Sequence, residues 1–177
     1  MRVIAGKFRS RRLKSLPGLV VRPTPDRLRE SLFSILAPRI EGAVFLDAYA
    51  GSGAVGIEAI SRGAKHVFFI ERNAQALAIL RENLSGLAIK DDATVVRGSA
   101  AVLLRNYRAD IAFIDPPYDR PDEYGQSLAA LSSGCGLAVA QHSSRMVLED
   151  VYGMLVKQRV LKQGDNSLTF YGPASSK

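Results

Sequence analysis

The sequence predicts an α/β fold: a Rossmann-like, mostly parallel sheet closed by an antiparallel C-terminal hairpin. Three observations carry this reading. From residue 43 onward, short and nearly continuous apolar runs alternate with stretches of helical periodicity. A glycine-rich loop follows the first of those runs, and the last two runs are joined through Gly164-Asp165-Asn166. Strands that are apolar on both faces belong in a parallel sheet covered by helices, whereas two runs linked by a Gly-Asp-Asn turn belong in a hairpin.

The elements follow in order. Arg22-Pro23-Thr24-Pro25-Asp26 reads as a helix start, with Thr24 as N-cap, Pro25 at the first helical position and Asp26 placed favourably for the helix dipole. That helix should reach about residue 37, with Leu28, Leu32, Phe33, Ile35 and Leu36 mostly on one face and Pro38 as its stop. Residues 43–47 read as the first strand, and a helix after the glycine loop runs to about residue 62, with Gly63 as its C-cap. Residues 66–71 form the second strand and 73–84 a helix capped by Asn73; the third strand is 93–97. A short helix near 99–106, a fourth strand at 111–115, a helix at 125–131 and a fifth strand at 137–141 complete the parallel part. The hairpin pairs 154–161 with 167–171.

The chain of 177 residues, 47% hydrophobic and 23% charged, is long enough for one enzyme-sized domain with a sizeable core. It has no apolar run that could span a bilayer and no signal-peptide core at its start, so a cytoplasmic location is expected. Its single cysteine, Cys135, lies between Gly134 and Gly136 with no metal-ligand partner nearby, and reads as a small apolar filler; a metal is not expected.

Charge is distributed unevenly. Of the 24 cations, seven (Arg2, Lys7, Arg9, Arg11, Arg12, Lys14 and Arg22) fall in residues 1–22, which contain no acid, and the rest of the chain is formally neutral. Residues 1–22 are therefore expected to be a basic, nucleic-acid-binding arm and 23–177 the enzyme domain, because a cation placed on a phosphate releases condensed counterions.

The first strand continues as Asp47-Ala48-Tyr49-Ala50-Gly51-Ser52-Gly53-Ala54-Val55-Gly56, and Glu71 ends the second strand 18 residues after Gly53. Both dinucleotide and S-adenosylmethionine sites use this layout, with the distal carboxylate on ribose hydroxyls. Asp47 separates the two: an acid four residues before the first glycine would repel a pyrophosphate but attract an ammonium and a sulfonium. S-adenosylmethionine is thus the expected cofactor, held by Asp47, Ala50, Gly51, Gly53 and Glu71, with Ser99 where many such enzymes carry an acid near the adenine.

At the end of the fourth strand stands Asp115-Pro116-Pro117-Tyr118. In open α/β sheets ligands bind beyond the carboxyl ends of the strands, which brings this loop to the same crevice as the glycines. Two prolines fix the backbone and remove two donors, leaving acceptors for the protons of an exocyclic amine, while Tyr118 can stack on the base. Such an amine is a poor nucleophile, since its lone pair is delocalised into the ring. Acceptors on both protons favour a more nucleophilic nitrogen and aim it at the methyl carbon, with no covalent intermediate. His66 is expected to be packed or solvated; His142, after the fifth strand, lies near the expected crevice.

These residues resemble the RsmD-type 16S ribosomal RNA guanine-N2 methyltransferases over nearly the whole chain. The resemblance rests on Arg2-Val3-Ile4-Ala5-Gly6, Arg9-Ser10-Arg11-Arg12-Leu13, Arg22-Pro23-Thr24 with Arg27, Arg29 and Phe33, Gly56-Ile57-Glu58-Ala59, Ser61-Arg62-Gly63-Ala64, Asn83 and the Asp115 loop. It implies the seven-stranded class I methyltransferase sheet and, as substrate, a guanine of 16S rRNA in the small subunit or its assembly intermediate; the protein is expected to be a monomer. Gln141, where that pattern expects an acid, and Gly6-Lys7-Phe8-Arg9-Ser10 depart from it. Three other readings compete. An adenine-N6 methyltransferase acting on DNA or RNA shares the catalytic loop, but the DNA enzymes need a recognition domain for which there is no room. A protein-glutamine methyltransferase leaves the basic arm unexplained, and a non-catalytic RNA-binding module does not account for Asp47, Glu71 and Asp115.

Overall fold

A computed structural model describes residues 1–15, 25–131 and 133–174. Nine of its elements build the parallel layer: β1 (Val44–Asp47), α2 (Ala54–Ser61), β2 (His66–Glu71), α3 (Ala74–Gly86), β3 (Ala93–Arg97), α4 (Ala100–Leu103), β4 (Ala109–Ile114), α5 (Asp122–Leu131) and β5 (Cys135–Ser143). Helix α1 (Asp26–Ile40) precedes them, and the short β6 (Val151–Tyr152), β7 (Leu155–Gln163) and β8 (Asn166–Pro173) follow. The sheet order is β3-β2-β1-β4-β5-β8-β7-β6, parallel through β5 and antiparallel from there.

The expected class is what forms, with one strand more than the seven expected. Two-residue β6 pairs with the start of β7 at the sheet edge, too short to leave a periodic signal in the sequence. The hairpin turn is tighter than expected: Gln163 pairs directly with Asn166, leaving Gly164, at φ 61°, and Asp165 as a two-residue loop.

Two apolar layers hold the sheet. Leu28, Leu32, Phe33 and Leu36 of α1 and Leu77, Leu80 and Leu84 of α3 pack with Phe45, Phe69 and Phe113 on one face. On the other, Leu104, Tyr124, Leu128 and Leu131 pack with Leu46, Ile70, Ala112 and Ile114. Successive strand residues supply opposite faces, which is why the strands read as continuous apolar runs.

Helix α1 begins differently from the sequence reading. Pro25 is the N-cap and Asp26 the first helical residue; Thr24 lies outside the described residues. Pro38 does not stop the helix, which carries it in its last turn and ends at Ile40 because that side chain is buried in the core. Asn73 does cap α3, accepting from the backbone N–H groups of Gln75 and Ala76. Cys135 is half-buried and burial pushes its thiol up to about 11, consistent with a packing role.

Residues 1–15 fold back on themselves through an Arg2–Arg12 antiparallel bridge and bury Val3 and Leu13 in the core. The turn needs Gly6, at φ 80°, because a Cβ there would lie 1.8 Å from the Ser61 carbonyl oxygen. Glu58, fully buried on α2, holds this hairpin by accepting the N–H groups of Ile4 at 2.8 Å and Ala5 at 3.0 Å. Arg62 meets the same carboxylate at 2.7 Å, and fully buried Arg29 reaches across to the Arg2 carbonyl at 2.6 Å. Alternation within the hairpin leaves Arg2, Lys7, Arg9, Arg11, Arg12 and Lys14 exposed. Arg11 also donates to the Gly86 carbonyl and Lys14 pairs with Glu82.

Candidate active site

Four parallel strands end along one edge of the sheet, and their following loops surround a cavity of about 690 Å³. From β1 come Ala48, Tyr49, Gly51 and Ser52; from β2, Ile70, Glu71, Arg72 and Asn73; from β3, Gly98, Ser99 and Ala100; from β4, Asp115 to Asp119. Glu123 of α5 adds to the wall, and so do Met1 and Ser15 at the two ends of the docked hairpin. A cavity of this size suits one extended small molecule, since such ligands occupy about 300–1,000 Å³.

The glycines have separate tasks. Gly51 takes φ 54°, with open space where a side chain would be, and its N–H donates to Glu71 Oε2 at 2.8 Å. Glu71 Oε1 accepts from the Asn73 N–H at 2.7 Å, so backbone groups fix the carboxylate at the cavity. Gly53 takes φ 85°, and a Cβ there would meet Leu80 Cδ1 at 2.3 Å. Gly56 lets α2 lie against β2, where a Cβ would lie 2.2 Å from the Phe69 ring.

Of the expected cofactor residues, Gly51, Glu71 and Ser99 line the cavity, whereas Asp47, Ala50 and Gly53 do not. Asp47 is 2% exposed and accepts the Gly56 N–H at 2.9 Å, near the start of α2. Burial raises its carboxyl to about 7, with Glu71 adding to the shift against the Gly56 hydrogen bond. Asp115, half-buried on the cavity wall, is also pushed up to about 7, first by burial and then by the charge of Asp47. A cation entering the cavity would draw both back toward the ionised form.

The catalytic-loop residues arrive together. Asp115, Pro116, Pro117 and Tyr118 all line the cavity, with Tyr118 56% exposed at its mouth. His142 does not line it. Its Nε2 lies 2.7 Å from Thr169 Oγ1, its ring packs edge-on against Tyr124, and burial lowers its pKa, so it is a neutral core residue. His66 bonds to the Asp91 carbonyl and Thr94.

Sequence reasoning passed over Tyr49, Arg72 and Glu123, and gave Asn83 no role beyond the family resemblance. Asn83 is 5% exposed and ties the hairpin to the glycine loop: its Oδ1 accepts the Lys14 N–H at 2.8 Å, and its Nδ2 donates to the Lys14 and Ser52 carbonyls. An asparagine inside a helix was the available signal, since a polar amide on an otherwise apolar face needs partners. Arg22 lies outside the described residues.

Among the described residues no helix is long and apolar enough to cross a membrane, and no group of His, Cys, Asp and Glu is placed to hold a metal.

Comparison with known proteins agrees with this architecture. Residues 1–172 match the family described as "Conserved hypothetical protein 95". A Bacillus subtilis protein named "Putative rRNA methyltransferase YlbH" is 34% identical over 97% of this chain and 98% of its own length. The Escherichia coli "Ribosomal RNA small subunit methyltransferase D" is 43% identical over 68% of this chain and 61% of its own. Among solved structures, "Putative methyltransferase yhhF from Escherichia coli" superposes with a TM-score of 0.86 at 30% identity, covering 99% of both chains. The chain therefore belongs to the "Conserved hypothetical protein 95" family, the RsmD-type family to which its amino-terminal signature points.

Proposed function

We propose that this protein transfers the methyl group of S-adenosylmethionine to the exocyclic N2 amine of a guanine in 16S ribosomal RNA. One observation carries the reading: the glycine loop organised by Glu71 and the Asp115-Pro116-Pro117-Tyr118 loop open into a single cavity, and both ends of a hairpin with outward-facing cations border it.

The residues present suit that cofactor. The cavity wall carries four carboxylates (Glu71, Asp115, Asp119 and Glu123) against Arg72 and the amino terminus of Met1, a balance that attracts an ammonium or sulfonium and repels a phosphate. Bound there, S-adenosylmethionine supplies an electrophilic methyl group. Glu71 accepts from ribose hydroxyls, Gly51 admits the ligand close to the backbone, and buried Asp47, held at the Gly56 N–H, contributes negative potential. Asp115 and the Pro116 carbonyl accept the two protons of the amine, which directs its nitrogen at the methyl carbon; Tyr118 stacks on the base. As the methyl group transfers, the nitrogen becomes more acidic, and Asp115 is placed to hold the proton it releases.

Arg2, Lys7, Arg9, Arg11, Arg12, Lys14 and Arg22 grip phosphates of the RNA, naked or within a small-subunit particle. Mapping modified nucleotides in 16S rRNA from cells lacking the protein, with the purified enzyme added back to that RNA or particle, tests the target. One guanine should lose and regain N2 methylation; restored methylation of an adenine would replace the assignment. The grip itself is tested by salt dependence. Wild-type RNA affinity should fall with a log–log slope of roughly −3 to −4, and Arg9→Ala/Arg11→Ala/Arg12→Ala should be shallower by about two to three. Parallel slopes would remove the hairpin from the RNA interface.

A further inference from the structure

We propose that Glu123 recognises the exocyclic amine of the cofactor's adenine, taking over from α5 the contact that an acid at position 99 would make. This inference rests on the S-adenosylmethionine reading above.

Glu123 lines the cavity, its side chain is 7% exposed, and its two oxygens are used unequally. Oε1 receives Arg72 at 3.2 Å and Arg120 at 3.1 Å, while Oε2 is buried with no hydrogen-bond partner among the described residues. A buried carboxylate oxygen without a donor is unfavourable, and a cavity beside it gives that donor somewhere to sit.

The surroundings identify the donor. Arg72 directly follows Glu71, the expected ribose acid, and Tyr49 of the glycine loop has its hydroxyl 2.8 Å from Ser127 and close enough to Glu123 that, beyond burial, this carboxylate raises its pKa both by charge and by a hydrogen bond. Helix α4, which starts at Ala100 just beyond Ser99, packs against α5. Glu123 therefore belongs to the part of the cavity bounded by the ends of β1, β2 and β3, where a nucleoside is expected. Ser99, as a hydroxyl, brings no negative charge to that corner. The other acids of the wall have different positions: Glu71 is fixed by Gly51 and Asn73, Asp115 belongs to the catalytic loop, and Asp119 is exposed. An adenine amine offers two N–H donors, and an ionised carboxylate offers only acceptors. Arg72 is 37% exposed and its one contact with Glu123 is to Oε1, which leaves the acceptor capacity of Oε2 for an entering amine.

The test compares S-adenosylhomocysteine with S-inosylhomocysteine, in which a carbonyl replaces the adenine amine, by calorimetric titration of the full chain without RNA. Wild type should favour the adenosine form by roughly ten- to a hundredfold, since a carbonyl facing Oε2 leaves two acceptors opposed. Glu123→Gln keeps the shape and can donate, so the preference should collapse toward unity. Glu123→Ala should bind S-adenosylhomocysteine at least about tenfold more weakly. An undiminished preference in Glu123→Gln overturns the assignment, as does equal weakening of both ligands, which marks a merely structural carboxylate. If wild type binds neither ligand, the cofactor reading itself fails.

Discussion

Asp115→Ala is expected to lower single-turnover methyl transfer by about 10²–10³-fold, the range seen when one preorganised group facing a transition state is removed. Cofactor affinity should change much less, because Glu71 and the glycine loop remain. Asp115→Asn, which keeps one acceptor oxygen, should recover part of the rate. Since burial and Asp47 raise the Asp115 carboxyl to about 7, the wild-type single-turnover rate at saturating cofactor should climb with pH through the region at or below 7, where the carboxylate forms. That limb should disappear in Asp115→Asn. Full activity in Asp115→Ala would exclude this carboxylate from the reaction.

The same burial gives the free protein a pH-dependent stability. Asp47 binds its proton more tightly folded, at about 7, than at its ordinary value of 3.8, so it favours folding most at low pH. That contribution declines as pH rises from 3.8 and is gone above 7. Asp47→Asn, which retains an acceptor for the Gly56 N–H, should therefore melt higher than wild type at pH 8 while binding the cofactor more weakly. A lower melting temperature for Asp47→Asn at pH 8 would show that ionised Asp47 is better compensated than its surroundings indicate.

Glu58→Ala should have the largest effect on stability. Its carboxylate is fully buried and serves Ile4, Ala5 and Arg62, while Arg29, also fully buried, lies 4.0 Å away. Burial pulls the Arg29 pKa down, with Asp26 and Glu58 opposing it. Removing Glu58 leaves two backbone donors and the Arg62 guanidinium without their acceptor and takes the opposite charge from beside buried Arg29, a loss of about 3–5 kcal/mol and a fall of roughly 10 °C in melting temperature. Glu58→Gln, which keeps volume and one acceptor, should lose less. Because Glu58 docks the hairpin, the alanine variant should also show a shallower salt dependence of RNA binding. A fall of under about 2 °C in scanning calorimetry would mean that water replaces these bonds without cost.

Much of this protein is written locally. Alternating apolar runs specified the parallel layer because strands covered on both faces cannot alternate with polar residues; β2 and β3 fall at the expected limits, and Asn73 caps α3 as expected. The glycine spacing and the Asp115 loop were legible because each is one short segment at a strand end, and a parallel sheet brings such ends to one edge. Only the tertiary structure decided the rest, and for one reason: burial and pairing depend on residues distant in sequence. Charge pattern suggested an appended arm, yet Glu58, more than fifty residues away, docks residues 1–15 and places Met1 and Ser15 on the cavity wall. Pro38 reads locally as a stop, but the helix runs on to bury Ile40. Asp47 reads as a ligand-facing acid, yet it is 2% exposed and not among the cavity-lining residues, and burial first, then the Glu71 charge, raise its carboxyl. Glu123 carries no signal in a sequence of mixed charges; the unequal use of its two oxygens exists only once Arg72 and Arg120 converge on it from separate loops.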